Sequence, residues 1–340
     1  MSPVQEPALK VALAMGSDVA ARIFPPSRLA DLGPGLELLS TEVLTSFDTP
    51  LAAELLPQVD ILLTGWGAPL LTAEVLDQAP KLRYALHAAG SVKEHITDAV
   101  WERGIQVTTA AEANSIPVAE YTLAMILLAN KRVLQLADHL QATRAWVEPE
   151  NLFPAMGNFG QTVGLVGASR IGRRVIELLA PFDFSVVVSD PFLSNEEAAG
   201  LGVRLVDLEE LVAISDVVSL HAPDLPETFH LLNEELINAL RPGATFINTS
   251  RGALVDQEAL ARRVGRGDLF AVLDVTTPWL LDPGHPLYGH PNVLLTPHIA
   301  GSLGVELDRL ASYALAEARR AAAGQPLRYP VTAGQLARSA

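Results

Sequence analysis

The sequence contains no cysteine, and this absence excludes several kinds of chemistry. Disulfide bonds, thiolate nucleophiles and cysteine-ligated zinc sites all require the thiol. No metal site is expected either, since the eight histidines show no paired spacing such as HExxH. A GxSxG motif is also absent, so a hydrolase is not supported. A chain without cysteine suits a reducing compartment, and we expect a cytoplasmic protein.

Basic residues are scarce. Lys and Arg number 24 against 39 Asp and Glu, which gives a formal net charge of −15. So acidic a chain repels the phosphates of nucleic acids and anionic membrane surfaces, and neither is an expected partner. The sequence lacks an apolar, uncharged run of about 18 residues, the length that crosses a bilayer. Met1–Ala8 has no basic segment before an apolar run, so no signal peptide is expected.

The composition of the sequence indicates a globular protein, and its length is sufficient for two domains. Hydrophobic residues make up 49% and charged residues 19% of the 340 positions. Short apolar runs alternate with helix-like stretches between Leu9 and Ala110, which predicts a parallel α/β sheet. These runs are Leu9–Met15, Val59–Thr64, Leu82–Ala88 and Ile105–Thr108.

A second α/β unit is predicted from Thr162 onward, because β-like runs again alternate with segments of helical spacing. The predicted strands are Thr162–Val166, Ser185–Ser189, Val217–Leu220, Ala244–Asn248, Phe270–Leu273 and Asn292–Leu295. The predicted helices between them include Ile171–Ala180, Asn233–Leu240 and Gln257–Val264.

Pro117–Leu136 predicts one long helix with Pro117 in its first turn. The segment is apolar on nearly all sides, so other protein must cover it, and a second subunit is a candidate. Residues 141–160 are predicted to form an arm or loop. The C-terminal helix, about Gly304–Ala323, is expected to pack back on the first domain.

Residues Thr162–Gly172 (TVGLVGASRIG) follow an apolar run and begin a helical pattern, as a dinucleotide-binding turn does. Gly167 permits a tight turn, and Gly172 lets the helix pack closely on the strand. Ser169 stands where the motif has a glycine. Its Cβ narrows the approach of a phosphate, while its hydroxyl offers a hydrogen bond. A tight turn that binds no nucleotide is the alternative.

Asp190 ends the next apolar run, 18 residues after Gly172. An acidic residue about 20 residues beyond the turn accepts hydrogen bonds from a ribose and repels a 2′-phosphate. Asp190 therefore favours NAD over NADP. A solvated turn before Pro191 is the alternative interpretation.

Polar residues follow each apolar run of the second unit. Since the carboxyl ends of parallel strands meet at one edge of a sheet, we expect these residues to line one crevice. They are Asp190, His221 with Pro223, Thr249 with Arg251, Asp274, and Thr296 with His298.

The order of these motifs resembles the D-2-hydroxyacid dehydrogenase family, which includes phosphoglycerate dehydrogenase and glyoxylate/hydroxypyruvate reductases. The similar stretches are TVGLVGASRIG, SDP, HAP, NTSRGALVD, LDV and LLTPHIAGS, with Leu82–Arg132. The resemblance implies an α/β fold of two Rossmann-like domains with parallel sheets, the cofactor domain being inserted into the substrate domain. The implied segments are 1–116 (substrate domain, first part), 117–302 (NAD-binding domain) and 303–340 (C-terminal helix and tail returning to the substrate domain).

The resemblance implies two catalytic residues. Arg251 is expected to hold the substrate carboxylate and polarise its carbonyl, and His298 to pass a proton to or from the hydroxyl. A surface arginine and a structural histidine are the alternatives. The residues expected to bind NAD are Gly167, Ser169, Arg170, Ile171, Gly172, Asp190, His221, Pro223, Thr228, Thr249 and Asp274.

The substrate, a small 2-hydroxy or 2-keto acid, is expected to meet two further segments. Backbone amides at Ala89, Gly90 and Ser91 are expected to bind the other face of its carboxylate, with a plain glycine turn as the alternative. Trp66 either shapes the pocket or packs in the fold. A homodimer through the long helix is implied as well.

One residue departs from the family pattern. The resemblance implies a glutamate that pairs with the histidine, five positions after Asp274, and Trp279 stands there instead. A carboxylate beside an imidazole raises its pKa and orients the ring. Three explanations remain: Asp282 supplies the carboxylate, Arg251 and His298 work slowly alone, or catalysis is lost. We favour the second.

Two functions therefore compete. The first is hydride exchange between NAD(H) and a small 2-hydroxy or 2-keto acid, which the retention of Arg251 and His298 favours. The second is a catalytically weak or inactive NAD(H)-binding sensor similar to the family's corepressors, which Trp279 and Ser169 favour. The sequence does not identify the acid.

Overall fold

The computed structural model describes residues 7–30 and 32–336. They form two compact units. The residues up to 114 and those from 302 onward make up the outer unit, and residues 115–301 make up the inserted unit. The predicted segments 1–116 and 303–340 also contain residues 1–6, 31 and 337–340, which lie outside the described residues.

Short strands and helices alternate along most of the described chain. The strands are β1 (Leu9–Ala14), β2 (Leu36–Leu38), β3 (Ile61–Thr64), β4 (Tyr84–His87), β5 (Gln106–Thr109), β6 (Thr162–Val166), β7 (Ser185–Ser189), β8 (Arg204–Leu205), β9 (Val217–Leu220), β10 (Thr245–Asn248), β11 (Phe270–Leu273), β12 (Val293–Leu295) and β13 (Pro330–Val331). The α-helices are α1 (Ser17–Ile23), α2 (Pro26–Leu29), α3 (Pro50–Leu55), α4 (Ala73–Gln78), α5 (Asp98–Glu102), α6 (Ala111–Asn130), α7 (Val133–Thr143), α8 (Pro149–Leu152), α9 (Arg170–Leu179), α10 (Asn195–Gly200), α11 (Leu208–Ile214), α12 (Glu234–Ala239), α13 (Gln257–Val264), α14 (Leu307–Ala322) and α15 (Ala333–Leu336).

The outer unit is built on a sheet of strand order β13-β5-β4-β3-β1-β2, in which β13 pairs antiparallel with β5 and the other neighbours are parallel. Strand β3 is buried along its whole length, as expected for a parallel strand covered on both faces. Leu310, Ala311 and Ala314 of α14 belong to the same buried apolar cluster as Val11 and Leu63 of the sheet. The C-terminal helix thus completes one face of this core.

The inserted unit is built on a parallel sheet of strand order β12-β11-β10-β9-β6-β7-β8. Strand β6 lies between β7 and β9, so the chain order reverses direction on either side of it. In open α/β sheets, ligands bind outside the carboxyl ends of the strands at such a switch point. The predicted α/β fold, with two mostly parallel sheets and one unit inserted into the other, is confirmed.

Side-chain caps fix where several helices of the inserted unit begin. In each case the side chain of the residue before the helix accepts a hydrogen bond from the third helical N–H, which satisfies one of the exposed amides of the first turn. The capping residues are Ser169, Ser194, Asp207, Asn233 and Asp256.

The prediction of a single helix over Pro117–Leu136 is wrong. Helix α6 begins at Ala111, six residues before Pro117, and ends at Asn130. Arg132 then adopts a left-handed backbone with φ of 51°, and α7 begins after it. Proline favours a first turn but does not require one, and one left-handed residue is enough to end a helix. No helix among the described residues is long and apolar enough to span a membrane.

Candidate active site

Two glycines allow the turn after β6 to fold tightly. Gly167 has φ of +101°, a region that side-chain-bearing residues rarely adopt, and a Cβ there would lie 2.9 Å from the backbone nitrogen of Ala222. A Cβ on Gly172 would lie 2.2 Å from the carbonyl oxygen of Gly167. Backbone atoms exclude a side chain at both positions, so the first turn of α9 packs directly on the end of β6.

Ser169 is the N-cap of α9, and its Oγ accepts a long hydrogen bond of 3.4 Å from the Gly172 N–H. Since the hydroxyl accepts in this bond, its own hydrogen can donate to another group. The N-terminal end of a helix attracts anions through its amides and its dipole. Arg170, which is exposed, and Ile171, which packs partly in the core, fill the first turn. The turn therefore suits a pyrophosphate.

Asp190 follows β7 and lies beside this turn. One carboxylate oxygen accepts from the Ala168 N–H at 2.7 Å, and the other accepts from the Phe192 N–H at 2.8 Å. A carboxylate has about four acceptor sites, so both oxygens retain capacity for a ribose hydroxyl. The two bonds hold the negative charge where an NAD ribose is expected.

His221, after β9, is 3% exposed, and its backbone lies against the turn at Gly167. Its Nε2 lies 3.0 Å from the Ser219 hydroxyl, and burial lowers its pKa to about 3, so the ring is neutral. Its carbonyl oxygen would lie 3.0 Å from a Cβ at Gly167. In this geometry His221 shapes the turn through its backbone.

The loop after β9 is closed by Thr228. Its hydroxyl donates to the Pro223 carbonyl at 2.7 Å and accepts from the Leu225 N–H at 2.9 Å. Pro223 and Thr228, both half-buried, therefore belong to one fixed loop at the carboxyl edge of the sheet. Their side chains set the path of the backbone there.

Arg251 projects from a loop after β10 that Asn248 holds in place. The Asn248 amide donates to the Arg251 carbonyl at 2.9 Å, and its oxygen accepts from the Ser250 N–H at 2.9 Å. Thr249 is buried, and its hydroxyl lies 3.3 Å from that of Thr122 on α6. These bonds fix the backbone from which the Arg251 guanidinium extends.

Asp274, after β11, organises the segment that contains His298. Its carboxylate accepts from the Thr296 hydroxyl at 2.6 Å and from the Ile299 and Ala300 N–H groups at 2.8 and 2.9 Å. His298 has φ of +55°, which costs free energy for a residue with a side chain. The His298 N–H donates to the Asp274 carbonyl at 2.9 Å. Asp274 thus supports a strained backbone at His298.

The charges of Asp274 and Arg251 both act on the His298 ring. Burial lowers the pKa of His298, the Asp274 carboxylate raises it, and the Arg251 charge lowers it. The net shift is downward. Both side chains come from the carboxyl edge of the same sheet, where the cofactor turn also lies.

Trp279 stacks on the His298 ring, with ring centroids 4.5 Å apart and planes inclined by 21°. Nδ1 of His298 is buried and has no hydrogen-bond partner among residues 7–30 and 32–336. Asp282 is exposed and does not bond to this nitrogen. The structure therefore does not support the hypothesis that Asp282 supplies the missing carboxylate.

The predicted substrate-binding residues Ala89, Gly90, Ser91 and Trp66 belong to the outer unit. Ala89 is buried, Gly90 and Ser91 are half-buried, and Trp66 is 38% exposed. A Cβ on Gly90 would lie 3.4 Å from Nδ2 of Asn114, so that amide lies beside the loop.

The outer unit also contains a buried polar cluster next to this loop, which sequence analysis missed. The Thr64 hydroxyl lies 2.9 Å from Nδ1 of His87 and 3.3 Å from Nε2 of His95. Burial lowers the pKa of His95 to about 4 and that of His87 well below its usual value. Both rings are neutral and act as fixed packing elements.

Sequence analysis also missed the residues that support the site. Asn248 at the end of a strand, before Thr-Ser, is a signal for a side-chain-stabilised turn. No sequence pattern indicates that the hydroxyl of Tyr121 lies 2.9 Å from that of Thr296, since 175 residues separate them. Such contacts depend on how α6 packs against the sheet.

Comparison with known proteins agrees with this architecture. Residues 123–300, more than half of the chain, match the family model for the "D-isomer specific 2-hydroxyacid dehydrogenase, NAD binding domain". D-3-phosphoglycerate dehydrogenase of Mycobacterium tuberculosis is 35% identical over 303 residues, which are 88% of this chain and 56% of that enzyme. Glyoxylate reductase of Thermofilum pendens is 36% identical over 249 residues, 72% of this chain and 73% of that enzyme.

Among solved structures, D-lactate dehydrogenase of Aquifex aeolicus, complexed with NAD and lactic acid, is similar with a TM-score of 0.71 and 26% identity. The match covers 93% of this chain and 96% of that one. The chain belongs to the D-isomer specific 2-hydroxyacid dehydrogenase family. NAD is confirmed as the cofactor of its inserted unit. The chain spans about half the length of the phosphoglycerate dehydrogenases that it matches.

Proposed function

We propose that the protein transfers a hydride between NAD(H) and a small 2-hydroxy or 2-keto acid. The observation that supports this most is that one loop contacts both candidate residues: Thr276 packs on Gly252, the neighbour of Arg251, and Trp279 stacks on His298. The arginine charge also lowers the pKa of the histidine. A protein that only binds NAD needs neither side chain. Both extend from the edge of the sheet that contains the cofactor turn.

The two side chains divide the work of keto-acid reduction. The planar guanidinium of Arg251 binds the substrate carboxylate with two parallel hydrogen bonds and draws electron density from the carbonyl. Bound NADH supplies the hydride that C2 of the keto acid accepts. His298 gives a proton to the carbonyl oxygen, which becomes the hydroxyl, and the reverse reaction returns that proton to the ring.

The competing proposal is an NAD(H)-binding sensor with weak or no turnover. Trp279 in place of the glutamate favours it, because Nδ1 of His298 then has no partner among the described residues. A panel of 2-keto acids, followed by NADH absorbance and repeated with NADPH, separates the two. Turnover on at least one acid supports the dehydrogenase. Calorimetric NADH binding without turnover on any acid supports the sensor.

Trp279→Glu is expected to extend keto-acid reduction to higher pH. Reduction needs protonated His298, whose lowered pKa causes activity to fall as pH rises through that value. A carboxylate near Nδ1 stabilises the imidazolium, raises its pKa and moves this fall upward. The measurement is kcat/KM against pH. Asp282→Asn serves as the control and should leave the profile unchanged. An unshifted Trp279→Glu profile would contradict the argument.

Asp190→Asn is expected to increase the use of NADPH relative to NADH. The variant keeps one acceptor oxygen for the Ala168 or Phe192 amide and removes the charge that repels a 2′-phosphate. Two like charges about 4 Å apart repel by roughly 1–4 kcal/mol near a protein surface, so the ratio of kcat/KM values should rise about tenfold or more. A constant ratio would show that Asp190 does not face the ribose.

A homodimer is the proposed assembly. Helix α7 has no buried residue within the described chain, and apolar side chains around it face solvent. They include Leu128, Val133, Leu134, Leu140, Trp146, Leu152 and Phe159. Burial of these side chains is favourable, and a second copy of the chain can provide the surface that buries them. Sedimentation velocity should give a mass twice that of the chain. In the Leu140→Asp variant, the measured mass should fall toward that of the monomer. A monomer at micromolar concentration would contradict this.

A further inference from the structure

We propose that Trp279 is the positioning residue of His298, its stacked indole replacing a hydrogen-bonded carboxylate as the group that orients the imidazole. The proposal concerns the same site as the proposed dehydrogenase and rests on it for its kinetic test. Its structural test is independent of turnover.

The first step is that the backbone and the ring of His298 are held by different groups. Asp274 fixes the backbone, because its carbonyl accepts from the His298 N–H and its carboxylate accepts from the N–H groups of the next two residues. The ring has no hydrogen bond at Nδ1 within the described chain. The stack on Trp279 is the contact that restrains rotation of the ring plane.

The second step is that Trp279 is itself held by its own loop. The Thr276 hydroxyl lies 2.9 Å from the Pro278 carbonyl and 3.0 Å from the Trp279 carbonyl, and its single hydrogen is shared between these two acceptors. The Thr277 N–H donates to Oε1 of Gln257 at 3.0 Å, and the Gln257 amide donates back to the Thr277 carbonyl. The indole is therefore presented from a fixed loop even though it is 67% exposed.

The third step connects this loop to the arginine. A Cβ on Gly252 would lie 2.2 Å from the carbonyl carbon of Thr276, so the loop of Trp279 packs on the backbone next to Arg251. Only a glycine allows this approach. The segment that places the indole on His298 and the segment that presents Arg251 thus form one packed unit.

The fourth step is chemical. The face of an indole is negative and stabilises a cationic imidazolium, but it accepts no N–H at Nδ1. The indole therefore orients the ring without selecting which nitrogen of the neutral form is protonated. The charged groups that act on the ring are Asp274, from the end of β11, and Arg251, from the loop after β10. Asp282, on the tryptophan's own loop, is exposed.

The kinetic test uses three substitutions of different shape. Trp279→Phe keeps an aromatic face, Trp279→Leu keeps apolar bulk without one, and Trp279→Ala removes both. We expect kcat of the phenylalanine variant within about threefold of the unmodified protein, and that of the leucine and alanine variants about tenfold lower or more. Leu280→Ala, at the exposed neighbouring position, is the control and should change little. Equal kcat for the leucine and phenylalanine variants would overturn the proposal.

The structural test uses NMR of ¹⁵N,¹³C-histidine-labelled protein without substrate, with His298→Asn to assign the ring. Stacking predicts ring protons of His298 shifted upfield by the indole. The shift should decrease in Trp279→Phe and disappear in Trp279→Leu and Trp279→Ala. If the unmodified protein lacks the upfield shift, the proposal fails whatever the activity. If the shift is present but no acid is turned over, the proposed function fails and the positioning role stands.

Discussion

His298→Asn is expected to lower kcat for keto-acid reduction by about 10²–10⁴-fold, the usual contribution of a positioned acid–base group. Asparagine is a suitable replacement because it tolerates the left-handed backbone that His298 adopts at φ of +55°. The hydrogen bonds that the Ile299 and Ala300 amides donate to the Asp274 carboxylate can therefore persist. The measurement is steady-state kcat with NADH saturating, together with NADH affinity by calorimetry, which should remain unchanged.

The control is a second histidine in the same backbone conformation. His230 has φ of +50° and is exposed, with its ring stacked on Phe229. His230→Asn makes the same chemical change in a similar backbone and should leave kcat within about twofold, as surface substitutions usually do. If His298→Asn retains most of the activity, His298 is not the proton donor. If both variants lose activity with their NADH affinity, the histidines support the fold instead.

The strands of the inserted unit were the most predictable part of the fold. The predicted bounds of β6, β7, β9 and β11 agree with the structure. Each of these is a short, largely apolar run, as expected for strands with helices on both faces. The edge strands β8 and β13, only two residues each, have no such pattern. Their pairing depends on neighbours distant in sequence.

The candidate site was predictable in its location and less so in its contacts. Parallel topology alone brings Asp190, Arg251, Asp274 and His298 to one edge, because each follows a strand. The division of roles among them was not predictable. The Asp274 carboxylate is expected from the family resemblance to contact the cofactor, yet in the structure it accepts three bonds from its own unit. Whether it also contacts the cofactor remains a prediction.

Local sequence likewise identifies Trp279 as a departure from the family but does not show where its ring lies. Its position depends on Gly252 and Gln257, which come from the preceding strand–helix connection and touch the Thr276–Trp279 loop. A pattern read along one segment cannot report packing between two segments. The stack on His298 is therefore a finding of the structure.

Arg251→Gln is expected to lower kcat/KM for keto acids by roughly a hundredfold. Removing one partner of a hydrogen-bonded charge pair costs about 2–5 kcal/mol, and each 1.36 kcal/mol corresponds to a factor of ten. Arg251→Lys separates charge from geometry, because lysine keeps the positive charge and lacks the two-pronged donor arrangement. An intermediate kcat/KM is expected for it. Activity in the glutamine variant equal to that of the unmodified protein would exclude Arg251 as the carboxylate-binding residue.

The same pair of variants also tests the proximity of Arg251 to His298. The arginine charge lowers the pKa of His298, so its removal in Arg251→Gln should raise that pKa and move the high-pH loss of reduction upward. Arg251→Lys keeps the charge and should shift the profile less. A substrate-binding role alone changes the height of the pH profile but not its midpoint. A glutamine variant with reduced kcat/KM and an unshifted midpoint would therefore mean that Arg251 binds the acid at a distance from His298, and that the two side chains do not share one pocket.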